Sequence, residues 1–197
     1  MHGLLCAPED TPFLQDELRR LGATSEVVLP GLVRAPLGWV GQAPILVFAR
    51  QFLPDMEVIT ATSVRTWAEA MVQRILSTCP EEKPWRLQVS PRYQTVNSTH
   101  AGENRCRLIV EAMDEQLDKK RRKFRKLRRD GTEPFRSDES LVQLLLTQPD
   151  SGWLSISLAP RPSAIRYLVS PFSQGEIPIA SDQSAPSRAF ADRKSVV

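Results

Sequence analysis

Residues 62–89 read TSVRTWAEAMVQRILSTCPEEKPWRLQV, and the apolar period changes part-way along. Trp67, Met71 and Ile75 are spaced by four, which puts them on one face of a helix. Thr62 or Ser63 is a fitting N-cap, and Pro80 stops the helix soon after Thr78. Beyond the stop, Trp85, Leu87 and Val89 alternate with Arg86 and Gln88, the period of a half-buried strand. A helix feeding a strand so closely predicts a mixed α and β architecture.

Upstream, Leu4-Leu5-Cys6 reads as a short strand. A helix is predicted with Thr11 as N-cap, Pro12 at its first position, Gly22 as its stop and Leu14, Leu18 and Leu21 as its apolar stripe. Val27-Val28-Leu29 and Leu32-Val33 read as strand around Pro30-Gly31, and the apolar run Ile45 to Ala49 as a strand covered on both faces. Downstream, Tyr93 to Glu103 is polar and aperiodic. One long helix is then predicted from Glu103 to Arg129, with Cys106, Ile109, Met113, Leu117, Phe124 and Leu127 facing inward. A shorter helix starting at Ser137 carries Leu141, Leu144 and Leu145. Trp153 to Leu158 alternates as a strand, with Ile165 to Val169 as its partner across Pro160 to Ser163. The order gives an α/β or α+β chain with a mixed sheet and helices. The expected divisions are a first module over 1–53, a second over 54–171, and a linker-like tail over 172–197.

At 197 residues with 41% hydrophobic and 25% charged side chains, the composition is that of a globular protein. No apolar run approaches the ~20 residues that a bilayer span requires, and the N-terminus lacks a signal-peptide pattern. The expected location is therefore the cytoplasm. Cys6, Cys79 and Cys106 are far apart and form no CxxC pair, and His2 and His100 stand at no ligand spacing from them. Buried structural thiols are the favoured reading, and no metal site is expected.

Charge is concentrated. Nine of the 26 lysines and arginines, Lys119, Lys120, Arg121, Arg122, Lys123, Arg125, Lys126, Arg128 and Arg129, lie within eleven positions, although the net charge is only +3. Like charges spaced i,i+4 on a helix repel by a few tenths of a kcal/mol each, and a polyanion relieves that repulsion. The alternative is a solvated helix face or a localisation tract. Arg50, Arg86, Arg92 and Tyr93 are further cationic or stacking side chains, each equally readable as an ordinary surface or core-edge residue. Catalytic patterns are missing. Nine glycines form no phosphate-cradling loop, no GxSxG occurs, and no His-Glu pair has metalloprotease spacing.

Three segments carry a resemblance: Pro44 to Phe52 (PILVFARQF), Trp153 to Phe172, and Ala185-Pro186-Ser187-Arg188. In this order the chain resembles the N-terminal part of the bacterial 23S rRNA cytidine 2'-O-ribose methyltransferases, an FtsJ-related family. The resemblance implies an N-terminal module and a THUMP-like RNA-binding domain ahead of a Rossmann-like methyltransferase domain that uses S-adenosylmethionine. After Arg188 the sequence departs from the family. Asp192 occupies the position of the family's catalytic lysine, Lys194 comes two places late, and the cofactor-holding Asp-Leu-Gly…Pro-Gly-Gly segment is not reached.

The Rossmann-like domain is thus expected to be absent, with residues 172–197 a linker and truncated start. No catalytic residue is assigned and no cofactor is expected on this chain, S-adenosylmethionine being implied for the full-length family. The implied partner is large-subunit rRNA. The candidate RNA-binding residues are Lys119, Lys120, Arg122, Lys123, Arg125, Lys126 and Arg129, with Arg86 and Arg188. A different class stays open: a non-enzymatic interaction module whose basic helix binds an acidic protein partner.

Overall fold

The computed structural model describes residues 1–36, 46–93, 100–129, 134, 136 and 138–158. The expected Ile165–Val169 strand, the Pro160–Ser163 connection, the tail and Arg188 lie outside the described residues.

Near the N-terminus, β1 (His2–Leu5), β2 (Glu26–Leu29), β3 (Leu32–Ala35) and β4 (Gln51–Leu53) form an antiparallel sheet in the order β2-β3-β1-β4. Alternation decides its faces. Leu4, Val33 and Ala35 pack with Leu14 and Leu18 of α1 (Thr11–Arg20), whereas Leu5, Leu32 and Leu53 point the other way. The helix begins one residue earlier than expected, with Asp10 at the N-cap. The Thr11 hydroxyl instead donates to Pro8 O at 2.7 Å and accepts from Gly31 N at 2.9 Å. Gly22 stops the helix with φ 76°, which only glycine adopts without strain. Leu21 falls outside the stripe and is exposed.

The predicted strand at Ile45–Ala49 is corrected. Ile45 lies outside the described residues, and Leu46 to Ala49 are not strand. The Glu17 carboxylate takes the Val47 and Phe48 amides at 2.7 and 3.3 Å, groups a strand would offer to its neighbour. Pairing with β1 begins only at Gln51.

A second sheet contains β5 (Glu57–Thr60), β6 (Trp85–Pro91), β7 (Arg128–Arg129), β8 (Ser140–Leu146) and β9 (Ser151–Ser157) in the order β5-β9-β8-β6-β7. It is mixed: β6 runs parallel to β7 and β8, while β9 is antiparallel to β8 and β5. Against one face lie α2 (Val64–Thr78) and α3 (Ala101–Lys120). Ser63 caps α2 as anticipated: its hydroxyl accepts from Thr66 N, and the Thr66 hydroxyl accepts from Ser63 N. Trp67, Met71 and Ile75 from α2 meet Ile109, Met113 and Leu117 from α3 over Val142, Leu144 and Leu146. The sheets share an apolar seam of Leu5, Leu32, Leu53 and Met56 with Leu145 and Trp153, and the Arg34 guanidinium lies 5.3 Å from the Trp153 ring centre. Gly3 permits the seam, since a Cβ there would sit 2.0 Å from Met56 Sδ.

Two further expectations are corrected. The stretch after Ser137 is not a helix but β8, every residue of which is buried. A strand covered on both faces reads as an apolar run that periodicity cannot tell from a helix segment. The long helix to Arg129 is also interrupted. It breaks at Arg121 (φ −144°, ψ 54°), resumes as the short α4 (Arg122–Lys126), and ends in strand β7.

Gln143 tests the register of β8. On the predicted helix it would face away from the leucines. In the strand it is 2% exposed and its amide donates to Gln88 Oε1 at 2.9 Å. Gln143→Ala should therefore lower the unfolding free energy by about 1–3 kcal/mol, the usual cost of orphaning a buried polar partner. Urea denaturation reads the difference, and an unchanged midpoint would argue against the strand.

Candidate functional site

The nine-charge run is divided by two acidic residues. Asp114, half-buried on α3, holds Arg125 Nε at 2.9 Å and Arg128 Nη2 at 2.6 Å. In a continuous helix Arg128 would lie about 21 Å along the axis from Asp114, at 1.5 Å per residue. The contact therefore requires the chain to fold back at Arg121. Burial pushes the Asp114 carboxyl above its ordinary range, and the Arg128 and Arg125 guanidiniums oppose that rise.

Glu139 is fully buried at the entrance to β8. It accepts from Arg86 Nε at 2.5 Å, from Arg129 Nη1 at 3.0 Å and from the Arg136 amide at 3.3 Å. The register explains this convergence: Arg86 of β6 pairs with Arg129 of β7 and with Leu141 of β8. Arg86, 4% exposed, and Arg129 are thus turned toward a carboxylate instead of being offered to solvent as the sequence suggested.

The exposed remainder lies on α4 and at the adjoining end of α3. Phe124 of α4 is buried and stacks on Trp85, with ring centres 5.1 Å apart and planes at 12°, while Trp85 Nε1 donates to Phe124 O at 3.1 Å. At 3.6 residues per turn, anchoring Phe124 turns Arg122, Lys123 and Lys126 outward, within about 100° of one another. These three and Lys120 are exposed and form no ion pair among the described residues. At the margins, Lys119 meets Glu115 at 2.5 Å, and Arg121 meets Glu81 at 3.9 Å. Asp118 is a further exposed carboxylate on the last turns of α3. Arg92 and Tyr93 are remote, beyond the far end of β6, which itself lies roughly 20 Å from Trp85 at 3.3 Å per residue. Arg50 is elsewhere too, 3.9 Å from Asp10.

The sequence reading missed Asp114 and Glu139, whose partners are distant in the chain. A single signal was available for Glu139, a carboxylate separated by one residue from the apolar run that starts at Leu141.

The remaining chemistry is sparse. A cleft of about 390 Å³ lies between α2 and β9, lined in part by Glu57, Arg74, Thr78 and Ile156. There the Arg74 guanidinium donates to both Glu57 oxygens, so the two charges neutralise each other. Cys6, Cys79 and Cys106 are all buried free thiols. Burial raises the Cys6 thiol and pushes Cys79 and Cys106 up to about 11. Among the described residues no group of three or more His, Cys, Asp or Glu is placed to hold a metal ion, and no helix is long and apolar enough to cross a membrane.

No family model matches the sequence, and no curated protein matches it. Solved structures do. The chain is similar to TrmN from Thermus thermophilus, with a TM-score of 0.50, 19% identity, and coverage of 84% of this chain and 47% of that one. It is also similar to a predicted N6-adenine-specific DNA methylase from Listeria monocytogenes (TM-score 0.48, 14% identity, 79% and 39% covered). A third is a 4-thiouridine synthetase in complex with RNA and ATP (TM-score 0.41, 8% identity, 82% and 43% covered). The chain spans less than half the length of each. The TrmN likeness is one of fold, and the fold is a mixed α/β arrangement with mixed sheets.

Two outcomes check the site's internal structure. Glu139→Ala should cost about 3–5 kcal/mol in urea unfolding, because it removes a buried carboxylate from between two guanidiniums, whereas Lys123→Gln should stay within about 0.5 kcal/mol. At pH 8 the native protein should leave all three thiols unmodified by Ellman's reagent, since burial both shields them and suppresses the thiolate. In guanidinium chloride all three should react, and rapid native labelling would contradict the burial.

Proposed function

We propose that this chain is the RNA-binding part of an S-adenosylmethionine-dependent rRNA 2'-O-ribose methyltransferase and is not catalytic alone. Residues 1–53 form its N-terminal module, 54–171 its THUMP-like domain, and 172–197 the approach to a methyltransferase domain. Large-subunit rRNA in the cytoplasm is the substrate. The observation that carries the reading is the pinned face of Lys120, Arg122, Lys123 and Lys126, four exposed cations without ion-pair partners among the described residues. The fold shared with TrmN and the sequence resemblance to the FtsJ-related family support the rest. Lys119 contributes at the edge of the face. Arg125 and Arg129 act indirectly, by holding α4 and β7 in place, and Arg86 helps to seat the same carboxylate as Arg129.

A salt titration of binding to a labelled large-subunit rRNA hairpin tests the proposal. Each phosphate contact contributes just under one unit to the slope of log affinity against log salt. Changing Lys120, Arg122, Lys123 and Lys126 together to Gln should flatten that slope by about 3–4 units and weaken binding at low salt. An unchanged slope, or polyglutamate competing as well as RNA does, would overturn it in favour of a solvated face or an acidic protein partner.

A further inference from the structure

We infer that the α4 face takes double-helical RNA by its phosphates alone, without reading base identity; this rests on the RNA-binding reading above. Residues 119–126, KKRRKFRK, contain no Asn, Gln, Ser or Thr, the neutral side chains that pair with base edges. The one aromatic residue in this stretch, Phe124, is turned inward onto Trp85, which is itself buried. The exposed Phe13 and its stacking partner Phe48 belong to the α1 side of the first sheet. Among the described residues, no stacking platform therefore stands beside the four cations, although single-stranded RNA is held largely by stacking.

What remains is a lattice of charge. Arg122 and Lys126 are four apart and Lys123 and Lys126 three apart, so their Cβ atoms are about 5–6 Å from each other. That spacing lets neighbouring side chains reach successive phosphates of one strand. The backbone that carries the lattice is anchored before any ligand arrives, by the Phe124–Trp85 stack beneath it and by the Asp114 clamp on Arg125 and Arg128 beside it. An anchored backbone suits a rigid polyanion, since only the side chains are left to be ordered on binding. Arginine can read guanine in the open major groove of B-form DNA, but the A-form major groove is too deep and narrow for side chains to read. On an RNA duplex, Arg122 therefore cannot read guanine from the major groove as it could in DNA.

Fluorescence anisotropy with three labelled RNAs of equal length decides the matter: two hairpins of unrelated stem sequence and an unstructured oligouridylate. The two hairpins should bind within about twofold of each other. Oligouridylate should bind at least about tenfold more weakly, because the face offers it no stacking. Equal binding of oligouridylate, or a tenfold difference between the hairpins, overturns the inference. The Lys120, Arg122, Lys123 and Lys126 to Gln variant separates this failure from a failure of the broader reading. If the wild type discriminates between hairpins and the variant loses all RNA, only the phosphate-only inference falls. If the variant binds every RNA as tightly as the wild type, the RNA site itself is misplaced. A urea midpoint for the variant within experimental error of wild type confirms that it is folded.

Discussion

A buried carboxylate does not stay charged in an apolar interior without donors around it. Glu139 satisfies that demand with side chains from β6 and β7 and the amide of Arg136, and Asp114 does so with a hydrogen bond from Arg128 and the nearby charge of Arg125, both after the break in the helix. Both constraints act on the same short stretch. Arg128 must reach back to α3 while Arg129 reaches forward to β8, so the backbone between Arg121 and Arg129 can be neither helical throughout nor free. The short α4 and the two-residue β7 are what remain once both carboxylates are supplied.

The layers around this stretch follow from the same economy of partners. Trp85 opens β6 beside Arg128, stacks on Phe124, and donates to the α4 backbone, so one indole joins sheet, helix and turn. On the opposite face of the second sheet, Gln143 and Ser155 are buried and polar, and each has a partner, Gln88 Oε1 and Pro54 O respectively. The first sheet completes the packing at the seam through Leu145 and Trp153. Of the basic run, the side chains that these contacts leave over reach solvent: Arg122, Lys123 and Lys126 on α4, and Lys120 at the end of α3.

Much of this was legible in the sequence. The change of period between Ile75 and Trp85 marks α2 and β6, and Ser63, one of two cap candidates, marks where α2 begins. Local chemistry is enough in such cases, since caps and periods act within a few residues. The misread elements are those decided by distant partners. Ser140 to Leu146 is a strand because β6 and β9 flank it, and nothing within the run distinguishes that from a helix. Leu46 to Ala49 is kept out of the sheet by Glu17, some thirty residues earlier. The basic run was readable as a polyanion-binding face or a solvated one, but it did not show that Asp114 and Glu139 already claim Arg125, Arg128 and Arg129. For the candidate site, the residue types were readable and their division into structural and exposed members was not.

The parallel pairing of β6 with β8 also shapes how the chain reaches its native state. Trp85 meets Ser140 and Pro91 meets Leu146, so β6 must wait for α3, α4 and β7 to emerge before its inner neighbour exists. Pairings closed over such long loops form slowly. Until then Leu141 to Leu146 is an uncharged, strongly apolar strand without a sheet, the kind of segment that joins edges of other chains. Asp138 and Glu139 on one flank and Asp150 on the other put negative charge beside the run, which opposes such joining. Glu139 thus has an earlier duty as well, repelling strangers from the strand it later fastens.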